Sequence, residues 1–261
     1  MASFADGPLA TSRGEPATRR SVRREARRQL VYELVSGTSG AILAFFMWGH
    51  MLFVSSILLG TRGFDWLAEG LETVYVAQPT VFAISALFLI HAALASRKIP
   101  AQLRERRRMR EIASALGARN LGAPRSSPFA APHLDSALWI WQVRTGMLIL
   151  VLGSFHLVLI GIDVLTGVFG ERVGIEASSS QARVAGGLWL VYAVLLVCVE
   201  FHASAGLYRL AVKWGFGSRL SRVTLRRLEY TVLVVFLGLG VVTLAVLAGA
   251  LAPPLAFLLE G

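Results

Sequence analysis

The chain has 261 residues, 55% of them hydrophobic and only 16% charged, with a mean hydropathy of +0.61 and a formal net charge of +10. A water-soluble domain of this length needs more charged surface, so the composition points to an integral membrane protein. One cysteine, Cys198, excludes a disulfide, an iron–sulfur cluster or a thiolate zinc site built by this chain alone.

In chain order, residues 1–29 are polar and Arg-rich, and their first apolar run comes too late for a signal peptide; they read as a basic flexible cytoplasmic tail. A membrane crossing needs about 20 apolar residues. Five segments meet that length, roughly 34–60, 73–96, 136–162, 184–212 and 229–256. The predicted fold is therefore all-α, a five-helix transmembrane bundle over 30–256, followed by a short outer tail at 257–261. Between the second and third spans, "IPAQLRERRRMREIASALGARN" reads either as an amphipathic helix on lipid headgroups or as a basic loop that fixes orientation. The linker "GAPRSSPFAAP" follows it.

Lys and Arg are divided unevenly among the connections. Seven precede the first span, nine lie in Arg97–Arg125 and six in Arg209–Arg227, against Arg62, Arg172 and Arg183 on the other side. Because these blocks flank apolar runs, they favour a topology signal over nucleic-acid binding. The bias predicts a cytoplasmic N-terminus and an outer C-terminus.

Five histidines are present. His133 precedes the third span, whereas His50, His91, His156 and His202 fall one each on spans one to four. Ionisable groups inside a membrane are rare and face the bundle interior. Counting along the predicted spans places His50 and His156 nearer the outer surface and His91 and His202 nearer the inner one, each about 10 Å from its boundary at 1.5 Å per residue. Imidazoles paired across a bundle are what a six-coordinate haem iron needs as axial ligands. Zinc fits less well, since thiolates or carboxylates at matching depths are missing, and four hydrogen-bonding histidines in a polar channel are the plain alternative. Small residues beside the candidates, Gly49, Ala95, Gly153 and Gly206, offer room for a porphyrin face. Arg209 and Lys213, further along the fourth span, suit haem propionates or serve as interface anchors.

The stretches "FFMWGHMLFVSSILLG", "FLIHAALASRKIP", "HLDSALWIWQVRTG", "LGSFHLVLI" and "VEFHASAGLYRLAVKWGF" resemble, in order, the dihaem cytochrome b subunit of menaquinol:fumarate reductases and succinate:menaquinone oxidoreductases. The resemblance covers about residues 34–216 and weakens over span five. It implies two haem b groups, with His50 and His156 on the outer iron and His91 and His202 on the inner one. It also implies menaquinol as electron donor, and an iron–sulfur subunit and an FAD-containing flavoprotein docked on the cytoplasmic face. Pairing into a dimer of heterotrimers is common in the family.

Two carboxylates gain roles from that resemblance. Glu72 matches the family's glutamate at the quinol oxidation site, where it would accept a proton; otherwise it reads as an exposed loop residue. Glu200 matches the glutamate two residues before the inner-haem ligand and implies a transmembrane proton relay, against a structural hydrogen bond. A separation of two turns a helical side chain by about 200°, so Glu200 looks away from the direction of His202. Trp139, Arg209 and Lys213 match propionate contacts, whereas Arg144 departs from the family pattern. A haem-free proton-conducting anchor, and a dihaem quinol cytochrome with another soluble partner, are the competing readings.

Overall fold

The computed structural model describes residues 15–97, 99–119, 134–215 and 220–259. His133, the linker at 122–132 and residues 1–14 of the tail lie outside them. Among the described residues there are helices and turns but no strand. Helix α1 (Glu15–Val54) tightens into a 3-10 turn at Ser55–Leu59 and is followed by the short α2 (Thr61–Thr73). Next come α3 (Ala77–Ser96), α4 (Ile99–Arg119) and α5 (Leu134–Thr166). Helix α6 (Ala177–Arg183) passes through a wide turn at Val184–Leu188 into α7 (Trp189–Trp214), and α8 (Arg222–Leu247) is the last long helix.

Among the described residues, five stretches are long and apolar enough to cross a membrane: Ser21–Leu59, Pro79–Met109, Ala137–Thr166, Ala177–Trp214 and Arg222–Leu247. The expected spans are all there, and their ends differ for local reasons. Helix α1 starts at Glu15, so residues 15–29 are helical where a flexible tail is expected. No Gly or Pro interrupts residues 17–36, and Arg, Ala, Glu and Gln propagate a helix once it is started. The fourth span begins at Ala177, because Arg183 is neutralised by Asp163 of α5 and does not end it. Gly187, at φ +116°, takes up the kink that joins α6 to α7. The last span stops at Leu247 instead of 256. Gly249 adopts φ +74° just beyond it, and two prolines close behind cannot continue a helix. The chain then folds back, and the Leu255 N–H donates to the Leu58 carbonyl at 2.9 Å.

Neighbouring contacts run α1 to α3, α3 to α5, α5 to α7 and α7 to α1, so these four helices enclose one axis. Helix α8 packs outside them against α7 and α1. Apolar side chains such as Ile42, Phe45, Val151, Val158 and Val234 point outward, as lipid contact allows. The tight apolar cluster is not at mid-bundle. Ile57, Leu58, Phe64, Ala68, Ala177, Val184, Val246 and Leu247 gather where the end of α1, α2, α6 and the end of α8 converge. This α2 end is therefore sealed by packing, and most of the basic residues lie towards the opposite end. The segment Ile99–Arg119 is helical, as α4, with Leu103, Met109 and Ile112 exposed among its charged residues.

Candidate haem-ligand site

The four enclosing helices have two diagonals, and each carries one histidine pair. His50 of α1 faces His156 of α5 with ring centres 6.3 Å apart and planes inclined at 63°. His91 of α3 faces His202 of α7 with ring centres 6.4 Å apart and planes at 87°. Residues far apart in sequence thus meet in the two pairs that depth alone predicts. The first pair lies towards the α2 end, the second towards the basic end.

The spacing tests whether a metal fits between the rings. An imidazole-bound metal lies about 2 Å from the ligating nitrogen and so about 3 Å from the ring centre, which puts the centres of two opposed imidazoles about 6 Å apart. Both pairs meet that condition. A zinc site would need a third protein ligand, and among the described residues no group of three or more His, Cys, Asp or Glu converges to hold a metal.

Hydrogen bonds at the other ring nitrogen fix the chemistry further. His91 Nδ1 lies 3.1 Å from the Ser36 carbonyl and 3.2 Å from Ser39 Oγ, both on α1. His202 Nδ1 lies 2.9 Å from the Gln142 carbonyl and 3.4 Å from Thr145 Oγ1, both on α5. A carbonyl can only accept, so each Nδ1 carries the proton and each Nε2 keeps its lone pair for a metal. At the α2 end, His156 Nδ1 is 3.4 Å from the Tyr192 hydroxyl, and His50 is flanked by Phe46 and Phe53 of its own helix.

Glycines create the room. A methyl at Gly40 would come within 2.7 Å of His91 Cε1, and one at Gly146 within 2.8 Å of His202 Cε1. These are not the small residues singled out from sequence. Gly49 meets nothing, Gly153 faces Phe88, and Gly206 makes way for the Gln142 amide. Gly40 and Gly146 each lie on the helix that the ring presses against and not on the histidine's own helix, because an imidazole reaches outward to its neighbour. The usable signal was a hydroxyl residue followed by glycine inside an apolar run, Ser39–Gly40 and Thr145–Gly146.

The remaining candidates separate by location. Arg209 donates to the Gln142 side chain, which brings it beside His202. Lys213 pairs with Glu33 of α1 near the basic end, and Trp139 is buried on α5. Arg144 is exposed and lies over the Trp141 ring at 5.2 Å, the arrangement of an interface anchor. Glu200 is 1% exposed and accepts a hydrogen bond from Trp48 Nε1 at 3.2 Å. Trp48 in turn stacks on Phe236 of α8 at 5.3 Å. The carboxylate therefore sits among α1, α7 and α8, turned away from the α3 side that His202 faces. One turn further along α7, the buried Ser204 hydroxyl has no protein partner.

Glu72 is not a free loop residue. Asp65, Glu69 and Glu72, at i, i+4 and i+7, share one face of α2 and hold the connection between α5 and α6. Asp65 Oδ1 accepts from the Ala177 N–H at 2.7 Å and Glu72 Oε1 from the Ile175 N–H at 2.9 Å. Glu69 pairs with Arg172 at 3.2 Å. Arg183, read from the sequence only as an outer-side charge, completes this end: it is buried against Asp163, Ser179 and Ser180, and it also interacts with Tyr192.

Residues 123–250 match the model of the succinate dehydrogenase/fumarate reductase transmembrane subunit family. The fumarate reductase cytochrome b subunit of Wolinella succinogenes is 31% identical over 233 residues, covering 85% of this chain and 82% of that protein. Those of two Helicobacter pylori strains are 31% and 32% identical over 219 residues, in each case covering 81% of this chain and 77% of the relative. The chain belongs to the fumarate reductase cytochrome b subunit family. As a member of this transmembrane family it is a multi-pass membrane protein, and its five apolar helices are the crossings.

Proposed function

We propose that this chain is the dihaem membrane anchor of a fumarate reductase or succinate dehydrogenase complex, carrying electrons between menaquinol and a soluble iron–sulfur subunit with its flavoprotein. The observation that carries the reading is the pair of diagonal histidine couples, each with the ring spacing of two opposed axial ligands. His50 and His156 would hold one haem b iron, His91 and His202 the other. Held by two imidazoles of this chain, such a group would supply single-electron exchange and would leave no open site for oxygen.

The chain's own residues supply the rest. The bias of Lys and Arg supports the basic end, with Arg209, Lys213 and the start of α8, as the cytoplasmic side and the docking face for the partners. Trp139, Arg209 and Lys213 are the candidates to receive the propionates of the group at that end. At the opposite end, Glu72 is proposed to take a proton as the quinol gives up its electrons. Its Oε2 is the oxygen not engaged by Ile175. Glu200 is proposed to relay a proton along the α1–α7–α8 side, separate from the histidines. The unpartnered Ser204 hydroxyl one turn on supports a hydrated track there.

The test is optical. The purified protein should show a haem b α-band in the reduced-minus-oxidised spectrum and two haems per chain. Each single change of His50, His91, His156 or His202 to Ala should lose one. An absent band, or variants with unchanged pigment, would leave the haem-free proton-conducting reading in its place.

A further inference from the structure

The two ligands nearest the basic end are held in the same way by two unrelated helices. On α1, the carbonyl of Ser36, the hydroxyl of Ser39 and the missing side chain of Gly40 surround His91. On α5, the carbonyl of Gln142, the hydroxyl of Thr145 and the missing side chain of Gly146 surround His202. In both, these are positions i, i+3 and i+4 of a helix, which lie on one face. The short stretches "SGTSG" and "QVRTG" share no other feature.

Each element has a separate job. Glycine lets the ring edge come against the helix where any Cβ would push it off. The hydroxyl proton is already given to the helix backbone: Ser39 Oγ donates to the Ser36 carbonyl, and Thr145 Oγ1 to the Trp141 and Gln142 carbonyls. The hydroxyl oxygen therefore faces Nδ1 as a second acceptor beside the carbonyl. Two acceptors on one face fix the tautomer and hold the rotation of the ring about its own axis. His50 has aromatic neighbours instead, and His156 a single tyrosine hydroxyl.

We propose that these duplicated carbonyl–hydroxyl–glycine cradles orient the inner ligand pair, holding the two imidazole planes crossed at 87° and keeping Nδ1–H donated to the backbone. Ser39, Gly40, Thr145 and Gly146 are thus positioning residues that set the electronic character of the inner iron; this rests on the haem reading above. Crossed imidazole planes leave two iron d orbitals nearly degenerate and give a low-spin ferric signal of large g anisotropy. Hydrogen-bond donation from Nδ1–H makes the ligand more basic and favours the ferric state.

The experiment uses the whole complex in membranes, with haem content, low-temperature EPR and a redox titration of the two α-bands. Ser39→Ala and Thr145→Val should retain both haems, move the large-g signal and raise the potential of the inner haem alone. Thr145→Ser, which keeps the hydroxyl, should stay at the wild-type positions. Gly40→Ala or Gly146→Ala should lose the inner haem and keep the outer one. If Ser39→Ala and Thr145→Val contain two haems with both signals and both potentials unmoved, or if Thr145→Ser shifts as far as Thr145→Val, the cradle has no orienting role. Wild-type protein lacking haem would instead overturn the earlier reading, so the two failures are distinguishable.

Discussion

Glu200 shows how one side chain's setting defines what its substitution can report. It is buried among α1, α7 and α8 and held by the Trp48 indole, on a different side of α7 from His202. A glutamine there can still accept from Trp48 through its amide oxygen, but it cannot carry a proton. Glu200→Gln should therefore keep both haems and lower coupled turnover by about 10²-fold, the usual weight of a positioned acid–base group. Turnover in liposomes with a pH-sensitive dye checks this, and intact coupling would make Glu200 structural. Glu72→Gln is a parallel case, since its amide oxygen can keep the Ile175 N–H bond. Quinol oxidation should fall by a similar factor of about 10² with the spectrum unaltered. The histidine pairs were legible at this scale, because four imidazoles in apolar helices have few roles open to them. Their supporting residues were not, because Gly40 and Gly146 matter only for what the facing helix brings against them.

Among the elements, the connection between α5 and α6 depends most on charge. Arg172 links Glu69 of α2 to Glu176, and the Glu176 carboxylate also accepts the Glu171 N–H at 2.5 Å. Burial alone would push Glu176 up. Hydrogen bonds from Ser178 and from the Glu171 and Arg172 backbone, together with the Arg172 charge, outweigh it and hold the carboxyl below its ordinary value of 4.5. A lowered folded value means the stabilisation is present above pH 4.5 and is lost as pH falls through the folded value. Amide exchange over 167–176, corrected for intrinsic rates, should thus show protection at neutral pH that fades only below the carboxylate range. Glu176→Gln should remove that pH dependence. Gly170→Ala would drive a methyl into the same carboxylate and should loosen the connection at any pH, at a cost of about 1–3 kcal/mol. The existence of the long helices followed from apolar length, whereas their ends were set by particular events: an ion pair at Arg183, a kink at Gly187 and a glycine turn at Gly249.

For the whole molecule, the decisive feature is that all four histidines belong to one chain and close across both diagonals of one bundle. The pigment should therefore not depend on the soluble subunits. Stripping the complex with a chaotrope should release flavin and iron–sulfur protein and leave the five-helix cytochrome with two haems per chain. Loss of haem in step with the partners would show that they contribute to the sites. The apolar cluster at the α2 end and the outward-facing aliphatic surface suit a protein stabilised by packing at one end and by lipid along its length.

Sequence alone determined membrane residence, the count of crossings and the sorting of histidines by depth. Each of these depends only on apolar length and on position along a helix of known rise. Tertiary structure decided which helix faces which, and with it the cradles, the clasp that α2 places on the α5–α6 connection, and the side on which Glu200 is buried. Those contacts arise from how helices rotate and cross, and a one-dimensional pattern does not encode that relation when lipid accepts apolar residues on every outward face.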